Sequence, residues 1–264
     1  DQYDQLLEQA SGAVENDSVL SFRIQKLRLA LEYVYFEQAK FYGKNQHGMF
    51  IVNSKGEKTV REGLTERVLK FTKACNQFGI YELSEGGLSP DNYYKEWLEI
   101  CKNTVTHLGE DLKVNFITPP SDEFKGKGSY GLVDGNRGYK DFNINWIGWY
   151  EKNPEVEIET KKLDFNILKI NFLNDQRHWI FLPKKIKVYG FKDQKWHLLQ
   201  EKICDNLTED FEITTKSWEF EDQSFSSFAT IKIIVENQTA VPNWRKRKNK
   251  KPMAMLDEIE LYKK

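Results

Sequence analysis

The sequence predicts an α + β protein of two domains, an N-terminal antiparallel helical bundle followed by a C-terminal β-sandwich. Three observations predict this. Apolar residues recur at helical spacing up to about residue 110, and in short strand-length runs after about residue 129. Of seven tryptophans only Trp97 lies before residue 120; the others, at 146, 149, 179, 196, 218 and 244, all follow it. Between the two halves, residues 110–130 carry Pro119-Pro120 and GKGSYG, a linker composition. The expected division is 1–112 for the bundle, 113–128 for a linker and lead-in, and 129–264 for the sandwich.

The 264 residues suffice for two domains of ordinary size. With 39% hydrophobic and 30% charged residues, the composition excludes wholesale disorder. A net charge of −1 gives no global bias towards nucleic acid or membrane. No run of 18 apolar residues is present, so no transmembrane segment is expected. Cys75, Cys101 and Cys204 are odd in number and match no metal-site spacing; they read as buried thiols. The chain opens on Asp1 without a signal peptide, which reads as a piece of a longer protein.

In chain order, residues 3–14 read as a short helix, and Asn16-Asp17-Ser18 supplies a helix cap. Leu20, Ile24, Leu27, Leu31 and Val34 then mark one face of a long helix, with Phe22, Leu29, Tyr33 and Phe36 widening it. That helix should stop near Gly43. A short strand-like run, MFIV, occupies 49–52. Leu64, Val68, Phe71, Cys75 and Phe78 define a second long helix ended by Gly79. Ser89-Pro90 opens a third, carrying Tyr94, Trp97, Leu98, Cys101 and Val105. Strands are expected at 156–160, 165–173, 179–182, 185–190, 196–201, 209–214, 228–236 and 256–262.

The stretch Gly131–Trp149, GLVDGNRGYKDFNINWIGW, packs an Asp-Gly turn and a second glycine bend before a strand that begins around Trp146 and Trp149. Together with WIFLPKKIKVYG at 179–190 and LDEIEL at 256–261, it resembles the discoidin-like (coagulation factor 5/8 type C) jelly-roll β-sandwich found in many bacterial carbohydrate-binding modules. The helical half, through YDQLLEQASGAV, RIQKLRLALEYVYFEQ and GIYELSEGGLSPDNYYKEW, resembles the segment that follows an α-glucuronidase-like barrel in bacterial glycosidase-like proteins. These resemblances imply a non-catalytic carbohydrate-binding accessory region. Its partners would be a glycan or polysaccharide and an upstream catalytic domain of the same polypeptide, and its location extracytoplasmic. A rival reading is a structural brace for that upstream domain, binding no sugar itself.

The resemblance further implies a structural Ca²⁺ ion, with Asp134 in the DGN turn, Glu258 in the last strand and Asn136 beside them as oxygen ligands. The chain departs from that pattern after DGN, where RGYKDFNIN precedes the tryptophan. The competing reading is a plain Asp-Gly turn with Glu258 paired to a Lys or Arg.

For carbohydrate, two loops gather suitable groups. NDQRHW at 174–179 offers Arg177, His178 and Trp179; VPNWRKRKNKKP at 241–252 offers Trp244 and Arg245. Trp179 also reads as a core residue at the start of a strand, and Trp146 and Trp149 as core. The run RKRKNKK at 245–251 reads as a solvated loop, with an acidic polysaccharide as the alternative; no interleaved aromatics support nucleic acid. A glycosidase needs two carboxyl groups set across the scissile bond. Glu85, in the SEGG turn, is the one mild candidate, and no catalytic motif accompanies it. No catalytic residue is assigned.

Overall fold

The computed structural model describes residues 2–161, 163–204 and 207–264. Residues up to Lys102 form one compact unit and those from Asn103 another.

Among the described residues the first unit holds four helices, α1 (Gln2–Ala13), α2 (Ser18–Tyr42), α3 (Leu64–Gln77) and α4 (Pro90–Lys102). Asp17 caps α2: its Oδ1 accepts the backbone N–H groups of Val19 and Leu20, at 3.0 and 2.9 Å. Gly43 ends α2 at φ 55°, a left-handed turn that glycine adopts at little cost. A two-stranded hairpin, β1 (Phe50–Val52) and β2 (Lys58–Val60), joins α2 to α3. The core is aromatic. Phe36 meets Phe71 at 5.4 Å and Trp97 at 5.8 Å between ring centroids, and Phe71 meets Tyr93 at 6.0 Å.

The buried face of α2 differs from the expected one. Leu29, Phe36, Ala39 and Lys40 are buried, whereas Leu20, Leu27 and Val34 are exposed. The helix carries two apolar stripes, and the one with the larger rings buries more area. Lys40 is tolerated inside because Glu37 and Glu96 lie 2.8 and 3.3 Å from its ammonium, over the ring of Tyr93.

The second unit is an antiparallel β-sandwich. Its strands are β3 (Val114–Phe116), β4 (Ile147–Tyr150), β5 (Glu155–Glu159), β6 (Ile167–Asn174), β7 (Lys185–Lys192), β8 (Lys195–Ile203), β9 (Thr214–Glu221), β10 (Thr230–Glu236) and β11 (Met253–Tyr262). One sheet has the order β3-β5-β10-β7-β8 and the other β4-β11-β6-β9. Period-two alternation aims Val156, Ile158, Ile186, Val188, Ile231, Ile233 and Val235 inward from the first sheet. Leu168, Ile170, Phe172, Trp218, Phe220, Ile259 and Leu261 meet them from the second. At Gly190 any Cβ would overlap the ring of Phe228, so the strand needs glycine there. A second cluster (Trp146, Leu173, Ile180, Met253 and Met255) is sealed by Phe124, Phe142 and Tyr150.

The lead-in expected within 113–128 contains a strand: β3 pairs with β5, Val114 opposite Ile158, and two 3₁₀ turns follow. Two segments depart from the sequence expectation. Residues 179–182 form no strand; Trp179 sits at φ 61° after a 3₁₀ turn over Gln176–His178, and Ile180 makes only isolated bridges, to Asp175 and to Met253. DFEITT at 209–214 mostly precedes its strand, because β9 is set by the alternation that buries Trp218 and Phe220.

Candidate functional site

Two regions of the sandwich gather the expected site residues. The first lies where the 133–146 loop crosses β11. A register irregularity between Leu256 and Ile259 interrupts the pairing with β6. The carboxyl groups around it bind loop backbone: Glu258 Oε1 accepts the Gly135 N–H at 3.0 Å, and Asp257 Oδ2 accepts the Gly138 N–H at 2.6 Å. Arg137 grips Glu260 with two parallel hydrogen bonds of 2.6 and 2.9 Å. The loop sits so close that a Cβ at Gly138 would overlap the Trp146 indole, whose N–H donates to the Tyr139 carbonyl at 2.7 Å.

Asp134, Asn136 and Glu258 are all buried here. Asp134 Oδ1 accepts the Asn136 N–H at 3.0 Å, and Asp134 Oδ2 is ion-paired with the Lys127 ammonium. His107 Nδ1 accepts the N–H groups of Gly109 and Leu261, so its proton is on Nε2 and donates to Glu258 Oε1 at 2.9 Å. Asn136 Oδ1 and Glu258 Oε2 have no hydrogen-bond partner. Burial, with the neighbouring Asp134 charge, raises the Glu258 pKa well above the ordinary range, and burial pushes Asp257 up to about 8. Burial also works against ionised Glu260, but hydrogen bonds from Arg137, Tyr262 and Asn171 outweigh it and hold that group low. Among the described residues no group of three or more His, Cys, Asp or Glu side chains stands ready to hold a metal ion.

The second region joins the loops 174–179 and 241–252. Arg245 bridges them: its Nε donates to the Gln176 carbonyl at 2.8 Å, and its Nη2 donates to the Arg177 carbonyl. Trp244 Nε1 donates to Gln176 Oε1 at 3.0 Å. Trp179 Nε1 donates to the Arg245 carbonyl at 3.3 Å. Arg177, His178, Trp179, Trp244 and Arg245 therefore lie together, with unequal freedom. The Trp179 ring is taken by cations: the Arg245 guanidinium is 4.4 Å from its centroid, Lys250 4.6 Å and Arg247 5.8 Å. Trp244 is 39% exposed. Arg177 and His178 are about half exposed, both against the buried Asp175 carboxylate. Beside them a cavity of about 320 Å³ is lined by Asn174, Gln176, Thr208, Asp210, Lys216 and Trp218. Asn174 Oδ1, buried, has no partner.

No protein-family profile matches the chain, and no curated protein matches it. Among solved structures it is similar to sugar-bound modules at low identity. A family 32 carbohydrate-binding module of a family 31 glycoside hydrolase, bound to GalNAc, is 14% identical over 59% of this chain and 100% of that one, with a TM-score of 0.39. The family 32 module of Clostridium perfringens NanJ, in complex with galactose, is 11% identical over 57% and 92%, with a TM-score of 0.32. A Ruminococcus gnavus family 29 fucosidase in complex with fucose is 17% identical over 82% of this chain and 39% of its own length, with a TM-score of 0.34.

The expectation overlooked Gln176. Its side chain accepts from Trp244 and Asp210 N–H, and donates to the Thr208 carbonyl at 2.8 Å, so it joins three loops. No sequence signal marks it, because the partners are distant along the chain. His107 was overlooked for the same reason, its partner Glu258 lying 151 positions on, whereas Lys127 stands only seven residues before Asp134 and reads locally as part of a Gly-Lys-Gly linker. Glu85 stays in an exposed turn closed by the Gly87 N–H on the Ser84 carbonyl.

Proposed function

We propose that this chain is a non-catalytic carbohydrate-binding accessory region of a bacterial, extracytoplasmic glycoside-degrading protein, and that it works beside a catalytic domain of the same polypeptide. One observation carries the binding claim. The Arg245 side chain ties its loop to the backbone of the other at Gln176 and Arg177, which brings Trp244, Arg177 and His178 near one another. An indole face takes the apolar side of a pyranose ring, while guanidinium and imidazole N–H groups hydrogen-bond to hydroxyls or to a carboxylate. The Lys246, Arg247 and Lys248 side chains next to them favour an acidic glycan.

The non-catalytic reading rests on where the perturbed carboxyl groups lie. Asp257 and Glu258 are fully buried against backbone N–H groups, where no glycosidic bond can reach them. A glycan array probed with the whole chain tests the proposal. It should show weak binding, with Kd roughly 0.1–1 mM because few contacts must offset ordering costs, and affinity should fall as salt rises. An array with no ligand contradicts it, as does turnover of an aryl glycoside that is lost on removing one carboxylate. The bracing role draws on a different observation, the apolar residues Leu20, Leu27 and Val34 left exposed on α2.

A further inference from the structure

We propose that the Lys127 ammonium is the resident cation of the loop over β11, standing where the sequence resemblance implies a calcium ion. Lys127 lies between two left-handed glycines, Gly126 at φ 50° and Gly128 at φ 69°, which turn the chain sharply on either side of it. Its aliphatic stem runs past Gly131: a Cβ there would come within 3.2 Å of Lys127 Cβ and 3.7 Å of its Cε. The lack of a side chain at Gly131 is what lets the stem pass inward. The ammonium ends on Asp134 Oδ2, with only 6% of the lysine side chain and 1% of the aspartate side chain exposed.

A buried ammonium persists only where an opposite charge meets it, and Asp134 supplies one. The same Asp134 organises the turn by accepting the Asn136 N–H, so the cation fixes the loop that Glu258, Asp257 and Glu260 hold from below. A divalent ion bound to Asp134 would share it with the ammonium and meet like charge at short range. His107 adds no charge, because its Nδ1 is an acceptor of two backbone N–H groups. With Lys127 in place, the residues do not fit a second cation. The unpartnered Asn136 Oδ1 and Glu258 Oε2 mark where a hard ion could enter once the ammonium is gone.

The test is thermal unfolding of the whole chain, with millimolar CaCl₂ or EDTA, together with equilibrium dialysis against calcium. The unsubstituted protein should take up no stoichiometric ion, and its Tm should move by less than about 1 °C under either condition. Lys127→Met should melt roughly 5–15 °C lower, because it strands the Asp134 carboxylate. Lys127→Ser should recover part of that loss on adding calcium. One ion bound per unsubstituted chain, or a Tm that rises saturably with calcium, would overturn the proposal. So would a Lys127→Met protein that melts like the unsubstituted one. If Lys127→Met does not fold, the dialysis of the unsubstituted chain alone decides.

Discussion

At the residue scale, two tryptophans near each other do different work. Trp179 is held at φ 61°, with three basic side chains around its ring and its N–H on the Arg245 carbonyl. Trp244 donates one hydrogen bond, to Gln176 Oε1, and is 39% exposed. Trp179→Ala should therefore cost roughly 2–3 kcal/mol of stability, and Trp244→Ala less than about 1 kcal/mol; denaturant melts of the two variants check this. Equal losses would mean that Trp244 is a packing residue too. Cys75 gives a second residue-scale outcome. Burial pushes its thiol up to about 11, so at pH 8 only about one molecule in a thousand carries the thiolate. Alkylation of Cys75 should be slow in the folded protein and fast in denaturant, read by peptide mass. Fast labelling under native conditions would contradict the burial that α3 gives it.

At the element scale, β11 and the loop across it form one device. The irregular register near Asp257 lets neighbouring carboxyl groups serve Gly135, Gly138 and Arg137 in turn. A double-mutant cycle of Arg137→Met and Glu260→Gln should return a coupling of about 1–3 kcal/mol, since the pair is bidentate and Glu260 is buried. Gly138→Ala should cost more than about 2 kcal/mol, because its new methyl meets the Trp146 ring and the loop backbone is pinned. Little change on thermal melting would mean that the loop is free to move. Elements of this kind were only partly legible in the sequence. Helix positions read well, because Asp17, Gly43 and Ser89-Pro90 are local signals. Which stripe of α2 turns inward did not, since Leu27 and Phe36 are both apolar and only the partners decide. β3 was legible only as a lead-in to the sandwich, because its partner β5 supplies the pairing from about 40 positions away. The five proposed sugar-site residues were legible as two loops. That Arg245 would be spent on tying those loops, and that basic side chains rather than a strand core would cover Trp179, depended on contacts no local pattern encodes.

At the scale of the whole molecule, each unit has its own core, largely aromatic in the helices and mixed aliphatic and aromatic between the two sheets. The proposed recognition site is the pair of loops 174–179 and 241–252 of the sandwich. The most direct test is calorimetric titration of the whole chain and of Trp244→Ala with the best glycan from the array, at low and high salt, with Tm recorded for both proteins. The account predicts saturable binding by the unsubstituted chain that weakens as salt rises, and loss of binding of at least tenfold in Trp244→Ala with its Tm nearly unchanged. Undiminished binding by a folded Trp244→Ala protein would contradict it.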